Sequence, residues 1–307
     1  MSELGNFPFV FKPNVTAIDR AMREFAASAA WLFEDIIGHG LITLVNTINR
    51  LLGFIPWFVM VLFVFALGWR ARGSLRSGIL YAAMLCAVGV VGLWQLMYMT
   101  LSIVLASVLL ALIIGLPTGI LLSASDRAMR VARPILDTMQ TMPVFVYLIP
   151  ALLLFGLGSA SAVIATVIYA VVPVIRLTSL GIRQVDESVV EASRSFGSTR
   201  AQTLTKVQIP QAMPTIMAGV NQTLMMAMSM VVTCSMIGAR GLGNEVLIAV
   251  NRTEIGRGLV SGFSVVILAV LLDRMTQGWF SDEKRLARQD RRLRVKIKKE
   301  AGGDSNG

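Results

Sequence analysis

Residues 186–210 read DESVVEASRSFGSTRAQTLTKVQIP, a polar run set into sequence that is otherwise membrane-grade. It is the one long hydrophilic insert between apolar stretches after residue 140. Backbone polar groups are not left bare in hydrocarbon, so an insert of this size is either solvated or covered by another polypeptide. Asp186 and Glu187 put acidic side chains where a helix amino terminus favours them, which predicts a short helix from Glu187 to Phe196. Gly197 then permits a turn with positive φ, and Ser198 or Thr199 caps a second short helix through about Lys206. Pro210 and Pro214 are expected to end it. The unit's apolar surface is Val189, Val190, Phe196, Leu204, Val207 and Ile209. Helices this short are marginal alone, so the unit is expected to dock on a partner.

The flanks set the class. A chain of 307 residues that is 55% hydrophobic and only 15% charged is a polytopic helical membrane protein, all-α. The net charge of +10 would suit nucleic acid, but the basic residues lie in short loops and in the carboxy-terminal tail between and after apolar spans. That is the positive-inside pattern, and no nucleic-acid partner is expected. Cys86 and Cys234 fall in separate apolar stretches and His39 is the single histidine, so neither a disulfide framework nor a metal site is expected. No nucleophile, base and orienting group converge, and no GxxxxGK[ST] string is present, so the chain is not expected to be an enzyme or to bind ATP itself. A cleavable signal peptide is not expected either.

In chain order, residues 1–53 form an amino-terminal region. From Thr16 the positions Ile18, Met22, Phe25, Ala29, Leu32 and Ile36 recur on one helical face. A second stripe follows at Leu41, Leu44, Ile48 and Leu51. These predict helices on the membrane surface or packed on the bundle. Residues 54–280 form the transmembrane domain. About seven spans are expected, near 52–69, 78–98, 101–123, 136–156, 162–180, 213–237 and 258–280, with the second and third joined at Met99-Thr100. Residues 281–307 form a basic tail in contact with water or anionic lipid. Arg70, Arg72 and Arg76, then Arg127, Arg130 and Arg133, then Arg183, Arg194, Arg200 and Lys206 fall on one side. That side is cytoplasmic, which puts the amino terminus outside and the carboxy terminus inside.

Within the spans, LDTMQTMPVFVYLIP at 136–150 carries two prolines, which free carbonyls and are expected to bend the helix at Pro143 and Pro150. Broken helices line cavities in transporters, which makes Met139, Gln140, Thr141, Pro143 and Tyr147 candidates for the pathway wall. Asp137 is expected to meet Arg133 or the interface, and Pro173 to interrupt the fifth span. The glycines of MIGARGLG at 236–243 turn the chain ahead of a short amphipathic helix, Asn244 to Asn251. Gly115-x-x-x-Gly119 and Gly258-x-x-x-Gly262 permit close helix approach.

Glu191-Ala192-Ser193, three residues, Gly197, nine residues, then Val207-Gln208-Ile209-Pro210 resembles the EAA motif of inner-membrane permeases of bacterial ABC importers. Ser193, Val207 and Ile209 are conservative departures from it. The segments 136–158 and 236–277 extend the resemblance to the glycine betaine, carnitine and choline (ProW-like) class over roughly 54–280. The resemblance implies a MetI-like type I transmembrane domain working by alternating access. It implies that Glu191, Ala192, Ser193, Gly197, Val207, Ile209 and Pro210 couple it to two copies of a cytoplasmic ATPase holding ATP and Mg. It also implies an extracytoplasmic substrate-binding protein, a second permease copy in a homodimer, the bacterial inner membrane, and a quaternary or tertiary amine as solute. Two alternatives stand beside it: a permease for another small solute such as an amino acid, and an ion-coupled secondary transporter acting alone. The near absence of ionisable residues inside the spans disfavours the second.

Overall fold

A computed structural model describes residues 14–72 and 74–276, and all the regular structure among them is helical. The expectations for residues 1–13 and for the basic tail fall outside the described residues. Helix α1 (Val15–Ser28) is capped by Asn14, whose side chain accepts from the Ala17 N–H at 3.1 Å. A wider, π-helical stretch (Trp31–Gly38) leads directly into α2 (His39–Phe54). Leu41 and Val45 of α2 are buried, and Leu44 and Ile48 pack against the same cluster. Leu51 faces out, because ten residues beyond Leu41 is about 80° off the stripe at 3.6 residues per turn. Of the two placements expected for this helix, the packed one holds.

Helices α3 (Trp57–Arg72) and α4 (Leu75–Val90) form a hairpin closed by Ser77, whose hydroxyl reaches the Gly68 carbonyl at 3.2 Å. At 16 residues each they are about 24 Å long, short of the roughly 30 Å of a bilayer core. The chain then turns at Gly92, which has φ of +82°, and α5 (Trp94–Ser123) runs unbroken for 30 residues. The join expected at Met99-Thr100 is therefore mid-helix. Nothing there breaks a helix, and the glycine that does so lies seven to eight residues earlier.

Helix α6 (Asp126–Thr141) and α7 (Val144–Phe155) meet at 95°. The break falls where expected, at Pro143, because Met142 is held in an extended conformation (φ −65°, ψ 132°), as the residue before a proline tends to be. Pro150 lies inside α7 and Pro173 inside α8 (Ser159–Arg183), and both helices continue through them. Packed neighbours re-satisfy the freed carbonyls of membrane helices in such places.

The core is α5, α8 and α11 (Ile209–Cys234), flanked by α12 (Leu242–Arg252) and α13 (Ile255–Thr276). Gly115 and Gly119 make the α5–α8 crossing close. A Cβ on Gly119 would lie 2.7 Å from Thr178 Cβ and 2.8 Å from the Ile175 carbonyl oxygen. The second glycine pair does not act this way within the chain, since a Cβ on Gly262 would meet nothing within 4 Å. The buried Ser102 and Thr166 hydroxyls bond back along their own helices, to the Tyr98 carbonyl at 2.7 Å and to the Ala162 carbonyl at 2.7 Å. At one end of the bundle the Gly158 N–H donates to the Ile237 carbonyl at 2.9 Å. The Leu242 N–H donates to the Thr100 hydroxyl at 2.8 Å.

Among the described residues, four helices are long and apolar enough to cross a membrane: α5, α8, the run Arg200–Ile237 that contains α11, and α13. The bent pairs α6–α7 and α1–α2 bring the number to six if each is one span. Against the seven expected, the short α3–α4 hairpin takes away two, and the α1–α2 pair, which was not expected to cross, adds one.

Candidate functional site

Asp186 caps α9 (Glu187–Ser195), accepting from the Ser188 N–H at 2.9 Å. Hydrogen bonds from Ser188 hold the Asp186 carboxyl below the usual carboxylate range. Gly197 turns the chain with φ of +82°, and space is open where a Cβ would stand, so the requirement for glycine there is conformational. Thr199 opens α10 (Arg200–Thr203) with a reciprocal cap. Its hydroxyl accepts from the Gln202 N–H at 3.3 Å, while the Gln202 side chain accepts from the Thr199 N–H at 2.9 Å.

The end expected at Pro210 and Pro214 does not occur. A π-helical stretch (Leu204–Gln208) joins α10 to α11, and Pro210 sits in the first turn of α11, where a missing N–H is harmless. The result is one helical member from Arg200 to Ile237.

The apolar surface expected to await a partner is largely used by the chain itself. Val190 is buried, and Leu204 and Ile209 pack on Ile182, Ala212 and Ile216. Ser193 is half-buried, its hydroxyl 3.3 Å from that of Thr203, which ties α9 to α10. Glu191, Ala192 and Gly197 are exposed, and Phe196 is 91% exposed. The motif residues thus divide in two. Glu191, Ala192 and Gly197 stand at the open tip with Phe196, while Ser193, Val207 and Ile209 are half-buried in the unit's base and Pro210 starts the helix beneath it.

The broken hairpin carries the other candidates. The Tyr147 hydroxyl donates to the Met139 carbonyl across the break, and its ring lies 6.1 Å from that of Tyr169. Tyr147 is buried in the core and clasps the bend from inside, so it is not a surface residue of this chain. Met139 is half-buried, and Gln140, Thr141 and Pro143 are exposed. Asp137 pairs with Arg176 of α8, not with Arg133. Asp126 pairs with Arg183, which also donates to the Leu122 carbonyl at 2.9 Å.

Arg176 is the residue that reading the sequence passed over. Its signal was the spacing Tyr169, Arg176, Arg183, two helical turns apart each time, which puts all three on the face of α8 that meets α6 and α7. Asp273 accepts from Asn221 at 2.9 Å, tying α13 to α11, and pairs with the adjacent Arg274 at 3.7 Å. Among the described residues no group of three or more His, Cys, Asp and Glu is placed to hold a metal ion.

Residues 107–278 match the family described as binding-protein-dependent transport system inner membrane component. The chain is 47% identical over 241 residues to the glycine betaine/proline betaine transport system permease protein ProW of Escherichia coli (strain K12), covering 78% of this chain and 68% of that one. It is 46% identical over 246 residues to the glycine betaine transport system permease protein OpuAB of Bacillus subtilis (strain 168), covering 80% and 86%. The inward-facing MetNI methionine ABC transporter superposes with a TM-score of 0.53 at 22% identity, over 64% of this chain and 94% of that one, a likeness of fold. The chain belongs to the family of binding-protein-dependent inner-membrane transport components. It is a multi-pass membrane permease subunit of an ABC importer, not an enzyme, and its family implies an ATPase and a substrate-binding protein as partners.

Proposed function

We propose that this permease imports a small methylated amine of the glycine betaine, carnitine and choline type. As a homodimer it works by alternating access, driven by two ATPase subunits that hold ATP and Mg. The observation that carries the coupling is the exposed tip Glu191, Ala192, Phe196 and Gly197, seated on a base that runs without a break into the core helix α11. A helix pair so joined passes a push from a docked protein straight into the bundle. Glu191 makes polar contact with the ATPase and Ala192 allows close approach. The tip and the Lys/Arg-rich turns lie on the cytoplasmic side with the carboxy terminus, and the amino terminus lies outside. With α1–α2 packed on the bundle and not crossing, the α3–α4 hairpin adds two crossings or none, and this relation holds either way.

Reconstitution in proteoliposomes tests the reading. With ATPase, loaded binding protein and ATP, labelled glycine betaine accumulates; without the ATPase it does not. Uptake driven by an ion gradient with no ATPase present would refute it in favour of a secondary transporter.

A further inference from the structure

We infer that Arg176 and Asp137, with the ring of Tyr169 two turns along α8, form a transit site for the two charged ends of a zwitterionic solute. The inference rests on the methylated-amine reading above and names what inside this chain handles the zwitterionic members of that class, glycine betaine and carnitine. Arg176 lies seven residues, about 10 Å, in from Arg183 at the end of a 25-residue span, so it falls inside a hydrocarbon core of about 30 Å. A charge at that depth is expensive and is placed for a purpose.

Its pairing with Asp137 is not closed. One η nitrogen meets the carboxylate, the Nε is buried with no hydrogen-bond partner, and the two side chains remain 33% and 54% exposed. Arg183 is the contrast, with both Asp126 and the Leu122 carbonyl engaged at the helix end.

The open side fits one ligand chemistry. A carboxylate can take the edge formed by the two η nitrogens, which Asp137 only partly occupies, as a two-bond fork. A methylated ammonium, which has no N–H to donate, is held by charge at Asp137 and by the face of Tyr169, whose ring sits against Tyr147 beside the break in α6–α7. The solute thus exchanges for one internal ion pair with another pair of the same net charge. On release Asp137 and Arg176 close on each other again, so neither charge is left bare in the span.

The test is the number of glycine betaine molecules carried per ATP hydrolysed, in proteoliposomes with the ATPase and saturating loaded binding protein. With the hydrolysis of the ATPase alone subtracted, this ratio does not depend on how much permease is folded. Arg176→Gln and the charge-balanced double variant Asp137→Asn with Arg176→Gln are each expected to lower it at least tenfold. If the pair serves only to hold α6 on α8, removing both charges together leaves the ratio within twofold of the wild type, and the inference is overturned. A wild type that hydrolyses ATP under these conditions but carries no glycine betaine overturns the functional reading on which it rests.

Discussion

Replacing Gly119 by alanine puts a methyl group 2.7 Å from Thr178 Cβ, 3.0 Å from Thr178 Cγ2 and 2.8 Å from the Ile175 carbonyl oxygen. Carbon atoms pack at about 3.5–4.0 Å, so the α5–α8 crossing must open by about 0.8 Å or more. The carbonyl oxygen belongs to the backbone and cannot rotate away, so the movement is carried by whole helices at the centre of the core. Overpacking of this kind costs about 1–3 kcal/mol. Alanine also gains about 1 kcal/mol over glycine in helix propensity, which masks part of the effect. Gly262→Ala supplies the control, because its methyl group meets nothing within 4 Å and it takes the same propensity gain. The quantity to measure is the difference in melting temperature between the two purified variants. At about 3 °C per kcal/mol, Gly119→Ala should melt about 3–9 °C below Gly262→Ala, and a difference of less than about 1 °C refutes the packing argument.

Two further predictions concern the coupling unit. Because Gly197 needs a left-handed backbone that costs other residues roughly 1–2 kcal/mol, Gly197→Asn, which tolerates that conformation, should retain more uptake than Gly197→Ala. Gly197→Asp, which adds a charge to the open tip, should abolish uptake with the permease still inserted at normal level; uptake at the wild-type rate sinks the docking role. Asp186→Ala removes the cap of α9 and should speed tryptic cleavage after Arg194, while Asp186→Asn, also a good cap, should not. Since the Asp186 carboxyl is held below its ordinary range, the cap is fully present above the ordinary carboxylate pKa and is lost only as pH falls through the lowered value. Measured relative to trypsin's cleavage of a short unstructured peptide at each pH, proteolysis should therefore be flat from neutral pH down to the ordinary carboxylate range, and a relative rise near neutrality contradicts it.

Helix class, the two-part coupling unit and its glycine turn were legible because each rests on local chemistry: apolar run length, a capping residue, a position that only glycine fills easily. The break before Val144 was legible for the same reason, as Pro143 constrains its own neighbour. Boundaries failed where local chemistry is silent. Met99-Thr100 has no charge and looks like a seam, but Thr100 is buried as the acceptor for the Leu242 N–H, a contact 142 residues away in sequence. The stop placed at Pro210 failed because proline in a first helical turn starts a helix as readily as it ends one. The division of the motif into an open tip and a half-buried base depends on Ile182, which lies on α8, and on Ile216, two turns further along α11. Arg176 was missed because a single arginine in an apolar run draws notice only once its partner on α6 is known.

The uninterrupted member from Arg200 to Ile237 spans 38 residues, roughly 57 Å at 1.5 Å per residue. Its two ends are therefore locked in phase as well as in distance. One residue inserted beside Gln208 would spin everything beyond it by about 100°, carrying Gly219 away from its seat against Pro173 and Val174. Length can drift in the turn at 91–93 with only local effect. At the foot of this rod a single added amino acid would uncouple the docking face from the core it drives.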